Sequence, residues 1–352
     1  MDKLQNTINR IEPLDQEAMR QAQARQDNLT KPQGSLGLLE ELSVKVAGIQ
    51  GTARPKIRDK VIITMAGDHG VAVEGVSLYP QEVTAQMVYN FLRGGAGINA
   101  LARHVGARVV VADMGVATDL EPHPTLLAKK VAYGTKNMAQ GPAMSREEAI
   151  QAIETGIEIV ESELSRGVDI VGTGDMGIGN TTPSSAIVAA LTGSTVADVT
   201  GRGTGIDDEQ LAHKIETVEQ ALAVNRPDPA DPLDVLAKVG GLEIGGIAGV
   251  VLGAAAHRLP VVIDGFISGA GALIAAELAP QVKDYLVAAH LSVELGHRPV
   301  LERLGLTPLL HLNMRLGEGT GAALGISLVE AAVKVLNEMA TFADAGVSEA
   351  ME

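Results

Sequence analysis

What this chain can fold into is limited first by a recurring order of short apolar run, glycine-bearing turn and helical stretch. Residues 61–66 (VIITMA), 108–113 (RVVVAD), 168–171, 261–264 and 285–289 each read as a short buried strand. Runs that stay apolar throughout, instead of alternating with polar residues, fit strands covered on both faces. With helices between them they make crossover units, so the expected class is α/β with a parallel sheet.

The helices carry their own signatures. Ser145 and Glu148 form a capping box, after which Ile150, Ile153, Ile157, Val160 and Leu164 recur at three and four residues. Leu211, Ile215, Val218 and Leu222 repeat that period, and 241–257 reads as a small-residue helix suited to close packing on a sheet. The ends differ from the middle: 15–26 is polar and glutamine-rich, 35–49 is amphipathic, and 322–342 is a long apolar-striped helix, with no strand candidate among them. The expected organisation is one large α/β domain over 31–320 and a small helical domain built from both chain ends, 1–30 and 321–352. The stretch 225–232 (NRPDPADP) is a rigid turn too short to divide domains.

Composition narrows the function. The formal charge is −15, which repels nucleic acid and anionic membranes, and only 4 Tyr and 3 Phe are available as stacking platforms. A phosphate ligand would therefore have to be held locally, by backbone N–H groups and a few cations. Without cysteine there are no disulfides, thiolate nucleophiles or cysteine-ligated metals, in keeping with a reducing cytoplasm. The N-terminal stretch lacks a signal-peptide core, and no uncharged apolar run of about 18 residues follows. The 40 glycines imply tight turns and close backbone approaches.

Three stretches could carry chemistry. Residues 172–182 (GTGDMGIGNTT) lie between a strand and a helix, where backbone amides and the helix dipole can cradle a phosphate. Gly172, Gly174 and Gly177 also match a dinucleotide fingerprint, with Asp198 roughly twenty residues on, so an NAD-dependent oxidoreductase stands as an alternative. In 314–324 (MRLGEGTGAAL), Glu318 sits between glycines at the entrance to a helix; a cap and a ligand-facing carboxylate are both open readings. In 66–81, Asp68 and His69 adjoin in a turn, where a histidine bonded to backbone is the commoner outcome. Lys214, among Glu209, Glu216 and Glu219, reads by default as a solvated surface lysine. His290, Ser292 and Glu294 lack the nucleophile elbow of a hydrolase, and the eight histidines show no metal-binding spacing.

Together with LTKPQGSLGLLE at 29–40, AGDHGV at 66–71, YPQEVT at 79–84, GPAMS at 141–145, LDVLAKVGG at 233–241 and DGFIS at 264–268, these stretches resemble the nicotinate-nucleotide–dimethylbenzimidazole phosphoribosyltransferases. The resemblance implies a Rossmann-like α/β domain, a small helical domain from both ends, and a homodimer with active sites near the subunit interface. It places Glu318 on the catalytic position. It puts Lys214, Gly177, Ile178, Gly179, Asn180, Thr181 and Gly203 on the phosphate side, and Asp175, Asp264 and Ser292 along the nucleotide site. Tyr79, Pro80, Met87 and Leu316 fall on the walls of the base pocket. Two departures stand out: Asp175 replaces the glutamate frequent in the family, and Tyr79 and Met87 replace serine and glutamine.

The implied reaction moves phosphoribose from nicotinate mononucleotide to a benzimidazole-type base with inversion at the sugar, in assembly of the cobamide nucleotide loop. Nicotinate leaves as a neutral ring, so no acid is needed there. The attacking base becomes cationic unless a carboxylate takes its second proton, which is the task assigned to Glu318. No cofactor and no metal ion are implied. A partner subunit that has lost catalysis, motivated by Asp175, is the second reading, and retention of Glu318 counts against it.

Overall fold

A computed structural model of the chain describes residues 2–348. Its centre is a six-stranded, all-parallel sheet: β1 (Lys60–Gly67), β2 (Arg108–Gly115), β3 (Leu126–Ala128), β4 (Ile170–Met176), β5 (Val261–Ile263) and β6 (Leu286–Ala288). The spatial order is β3-β2-β1-β4-β5-β6, so the winding reverses between β1 and β4. This is the doubly wound order of Rossmann-type sheets, in which ligands bind beyond the carboxyl ends of the strands at the reversal.

Burial on both faces explains the unbroken apolar runs. Along β1, Val61, Ile63 and Met65 enter one core, and Ile62 and Ala66 enter the other. The first core is covered by the helices Arg146–Leu164, Leu242–Ala256 and Phe266–Leu278. The second lies under Val83–Leu92, Gly97–Val105 and Thr320–Glu338. The small residues of Leu242–Ala256 let it approach Arg146–Leu164 until the backbones touch: a Cβ on Gly156 would lie 2.0 Å from Gly246 O, and one on Gly249 1.9 Å from Ile153 O.

The expected capping box is present, with Ser145 Oγ accepting from Glu148 N and Glu148 Oε2 accepting from Ser145 N. One expected strand is shifted and one strand is unexpected. The run 168–171 is displaced, because β4 starts at Ile170 and continues through Gly172, Gly174 and Asp175, half of the stretch whose glycines suggest a loop. The three-residue β3, on the sheet edge, carries too few residues to show a period, and no apolar run signals it.

At the ends, Asp2–Asn9 lies against Arg146–Leu164 and Leu242–Ala256. Gln16–Asp27, Leu38–Gln50 and Thr320–Glu338 pack together around Ala22, Val44, Ala47 and Leu336. Among the described residues Thr320–Glu338 is the one helix long and apolar enough to cross a membrane, and its buried face, including Ala322, Ile326 and Val329, lies against the sheet.

Candidate active site

A cavity of about 370 Å³ opens at the carboxyl edge of β4, β5 and β6, beside the reversal point. Its floor is the turn from β4 into the helix Thr181–Thr192, contributing Gly177, Ile178, Gly179, Asn180 and Thr181. Gly203 and Thr204 form one wall, Ser292, Glu294 and His290 a second, and Arg315, Leu316 and Gly317 a third, with Ser77 and Tyr79 at the mouth.

The glycine turn is pinned before any ligand arrives. Ile178 N donates to Thr84 Oγ1, Asn180 N to Gly177 O and Thr182 N to Gly179 O, so three amides of the stretch hold the turn in shape instead of pointing at an anion. Gly172 and Gly174 serve a different purpose from a phosphate loop. They lie inside β4, where a Cβ on Gly174 would meet Glu318 O at 2.3 Å. The loop that carries Glu318 sits directly on the strand there, which removes the geometry of the dinucleotide fingerprint. Asp198 belongs to a separate short helix capped by Thr195.

Lys214 is not a surface residue. It is 1% exposed on Asp208–Asn225, and its ammonium donates to Thr181 Oγ1 at 2.7 Å and Gly201 O at 3.3 Å. Burial pulls its pKa down to about 8, and the charge of Glu294 opposes that fall. A Cβ on Gly203 would lie 3.0 Å from Thr181 Oγ1 and 3.3 Å from Lys214 Nζ, so Lys214 ties the floor to the wall from behind. The cation on the cavity surface is Arg315, whose guanidinium donates to Gly203 O at 3.4 Å.

Glu318 follows Gly317 in an unusual backbone state, φ 63°, a left-handed conformation that costs a side-chain-bearing residue about 1–2 kcal/mol. The surroundings over-determine it: Glu318 N donates to Asp175 O, and Glu318 O accepts from Thr64 Oγ1. The carboxylate does not serve the helix that follows it. It turns to the N-terminus of Gly97–Val105, where Oε2 accepts from Ile98 N at 3.0 Å. Burial lifts its pKa above the usual value, and the N–H groups of Ile98 and Gly97 limit the rise. Glu318 is 4% exposed; Leu316 and Gly317, not Glu318, wall the cavity.

Asp264, expected along the nucleotide site, is fully buried. Its oxygens accept from Gly319 N (3.1 Å), Gly321 N (2.6 Å) and Ala322 N (3.0 Å), capping Thr320–Glu338 and fixing the Glu318 turn. Burial pushes its pKa up to about 7. Asp175 does line the cavity; Oδ2 accepts from Asn180 Nδ2 at 3.0 Å while Oδ1 has no partner among the described residues. Burial, then the charges of Asp264 and Glu243, raise it well above the ordinary carboxyl range.

Of the expected base-pocket residues, Tyr79 and Leu316 reach the cavity and are 54% and 60% exposed. Pro80 is exposed beside it, and Met87 packs half-buried on the second core. His290, Glu294 and Arg315 face the cavity, although no local pattern assigns them to this site. Only their place after β6 and in the MRLGEG stretch could have signalled them. Among the described residues no group of three or more His, Cys, Asp or Glu side chains is placed to hold a metal ion.

A sequence model of a family described as phosphoribosyltransferase matches residues 11–347. A relative from Desulforudis audaxviator, named nicotinate-nucleotide–dimethylbenzimidazole phosphoribosyltransferase, is 66% identical over 350 residues, 99% of each chain. One of the same name from Roseiflexus sp. is 65% identical over the whole of both. A crystal structure of CobT from Thermus thermophilus is similar with a TM-score of 0.92 at 50% identity, covering 95% of this chain and 100% of that one.

Proposed function

Because the chain belongs to the nicotinate-nucleotide–dimethylbenzimidazole phosphoribosyltransferases, we infer that it transfers phosphoribose from nicotinate mononucleotide to 5,6-dimethylbenzimidazole or a related base. The products are α-ribazole 5′-phosphate and nicotinate, and the enzyme is a pentosyltransferase of cobamide nucleotide-loop assembly.

In our reading the 5′-phosphate rests on the turn Gly177–Thr181 at a helix N-terminus, with Arg315 and Gly203 beside it and Lys214 bracing the floor. Ser292 lies along the sugar, and Tyr79 and Leu316 flank the acceptor. Bond making and breaking are in line at the anomeric carbon, and holding the two substrates in that line supplies much of the rate. Nicotinate departs as a neutral ring. As the acceptor nitrogen bonds to the sugar, Glu318 takes the proton from the other nitrogen.

The observation that carries this reading is the position of the Glu318 carboxylate, fixed over Gly97 beside the Leu316 side chain. A Cβ on Gly97 would lie 2.8 Å from Leu316 Cδ2 and 3.2 Å from Glu318 Oε2, so the base-pocket wall and the carboxylate converge on one point. An upward-shifted carboxyl is also a better proton acceptor near neutral pH. Incubating the purified chain with nicotinate mononucleotide and dimethylbenzimidazole, and following nicotinate release chromatographically, tests the activity. Release by the chain alone also rules out a passive partner subunit.

We further propose a cytoplasmic homodimer. Exposed Tyr79 and Leu316 at the cavity mouth, with exposed Leu78 next to Tyr79 in the chain, favour cover by a second copy, and light scattering of the purified protein checks the dimer. The chain-end helices we read as a small helical domain.

A further inference from the structure

The turn after β1 contains a buried histidine–glutamate pair that the mechanism above does not use. His69 Nε2 donates to Glu243 Oε1 at 2.8 Å, with His69 1% exposed and Glu243 fully buried at the start of Leu242–Ala256. The expected backbone partner of His69 is absent; Nδ1 has none among the described residues.

Three glycines from three segments are cut to fit this pair. A Cβ on Gly241 would lie 2.5 Å from His69 Cε1 and 2.6 Å from Glu243 Oε2, and one on Gly67 would lie 3.1 Å from Glu243 Oε2. The third is Gly177, first residue of the cavity floor: a Cβ there would strike Gly67 O at 2.3 Å and lie 3.1 Å from His69 Nε2. The imidazole therefore backs directly onto the turn that faces the ligand. The ionisable groups beside it are carboxyls. Asp68 adjoins, its Oδ2 accepting from Ala117 N, and Asp175 lies close enough for Glu243 to raise its pKa.

We propose that His69 is a positioning residue for phosphoribosyl transfer: as a cation paired with Glu243 behind Gly177, it neutralises the buried carboxylate beneath the phosphate-binding turn and seats that turn. The inference rests on the reading that the 5′-phosphate lies on that turn. Burial works against charge on His69, but the charge and hydrogen bond of Glu243, with Asp68 adding, outweigh it and raise the imidazole pKa. The pair is then neutral overall and the turn accepts an anion. Removing the imidazole alone would leave Glu243 uncompensated in a low-dielectric interior, facing the substrate phosphate.

The test is a charge rescue read as KM against kcat at neutral pH. His69→Gln is expected to raise KM for nicotinate mononucleotide about tenfold, as one uncompensated charge near an anion site does at protein-like dielectric, with a smaller change in kcat. The double variant His69→Gln, Glu243→Gln, which removes both charges, should return KM most of the way to the wild-type value. Glu243→Gln alone should not raise KM, because it deletes only the repelling group, and it decides the matter if thermal melting shows His69→Gln to be unfolded. A double variant as impaired as His69→Gln, or a Glu243→Gln enzyme with a raised KM, overturns the proposal in favour of packing alone. A wild-type chain that releases no nicotinate overturns the transferase reading and this inference together; active wild type with unchanged KM in His69→Gln overturns this inference only.

Discussion

The carboxylate of Glu318 accepts from the backbone N–H of Ile98 at 3.0 Å across 220 residues of sequence. The partly positive start of one helix thus holds a carboxylate presented from the loop that starts another. The contact fixes the carboxylate's direction and, with the N–H of Gly97, moderates the pKa rise that burial causes, so the same helix start bears on both geometry and basicity.

Glu318→Gln retains an acceptor oxygen for Ile98 N and should fold with an unchanged Tm. Its kcat should fall by about 10²–10⁴, the usual worth of a positioned general base, with little change in KM for the mononucleotide. Near-normal turnover would remove Glu318 from the mechanism. In the wild type, kcat should decline as pH drops, from a pH above the ordinary glutamate range, because the base works only when ionised.

Lys214→Ala should chiefly raise KM for nicotinate mononucleotide, since it frees Thr181 and the Gly201 carbonyl behind the cavity floor. With a Lys214 pKa of about 8, wild-type KM should rise as pH increases through that value, and the variant should lose the trend. Steady-state kinetics at several pH values measures both. An unchanged KM would return Lys214 to a purely structural role.

Asp264 gives stability a pH dependence of definite sign. Its folded pKa of about 7 lies above the ordinary 3.8, so between those values the folded state holds the proton more tightly and stability falls as pH rises. Asp175, shifted the same way, adds to the slope. Urea midpoints from pH 4 to 8 should decline in the wild type and decline less in Asp264→Asn. A wild-type midpoint that climbs across that window contradicts the assignment.

Gly174→Ala and Gly97→Ala should separate fold from site. A Cβ at Gly174 strikes the Glu318 carbonyl and would cost about 1–3 kcal/mol of stability, read as a lower Tm. At Gly97 the nearest atom is the end of the flexible Leu316 side chain, so that variant should keep its Tm and lose kcat as Leu316 and the carboxylate shift.

Tyr79 and Leu316 line an apolar mouth, and a methyl group more or less in such a pocket changes binding by about 1–3 kcal/mol. In competition between 5-methylbenzimidazole and benzimidazole, which differ by one methyl group, the measured product ratio, converted to free energy, should stay within that range. A larger ratio would reveal a polar contact from elsewhere.

The α/β class, most strand positions, the capped helix after Ser145 and the glycine turn at 177–181 are legible in the chain alone, because periodicity, capping and turn chemistry act over a few neighbouring residues. Glu318 stands out there too, with two open roles. Four facts needed the folded arrangement: the Glu318 carboxylate belongs to the helix at Gly97, Lys214 is buried, Asp264 is a helix cap behind the cavity, and Gly172 and Gly174 are strand residues, Gly174 lying under a crossing loop. Each depends on segments tens to hundreds of residues apart meeting at the carboxyl edge of one sheet. Strand order sets that meeting, and no local pattern encodes strand order.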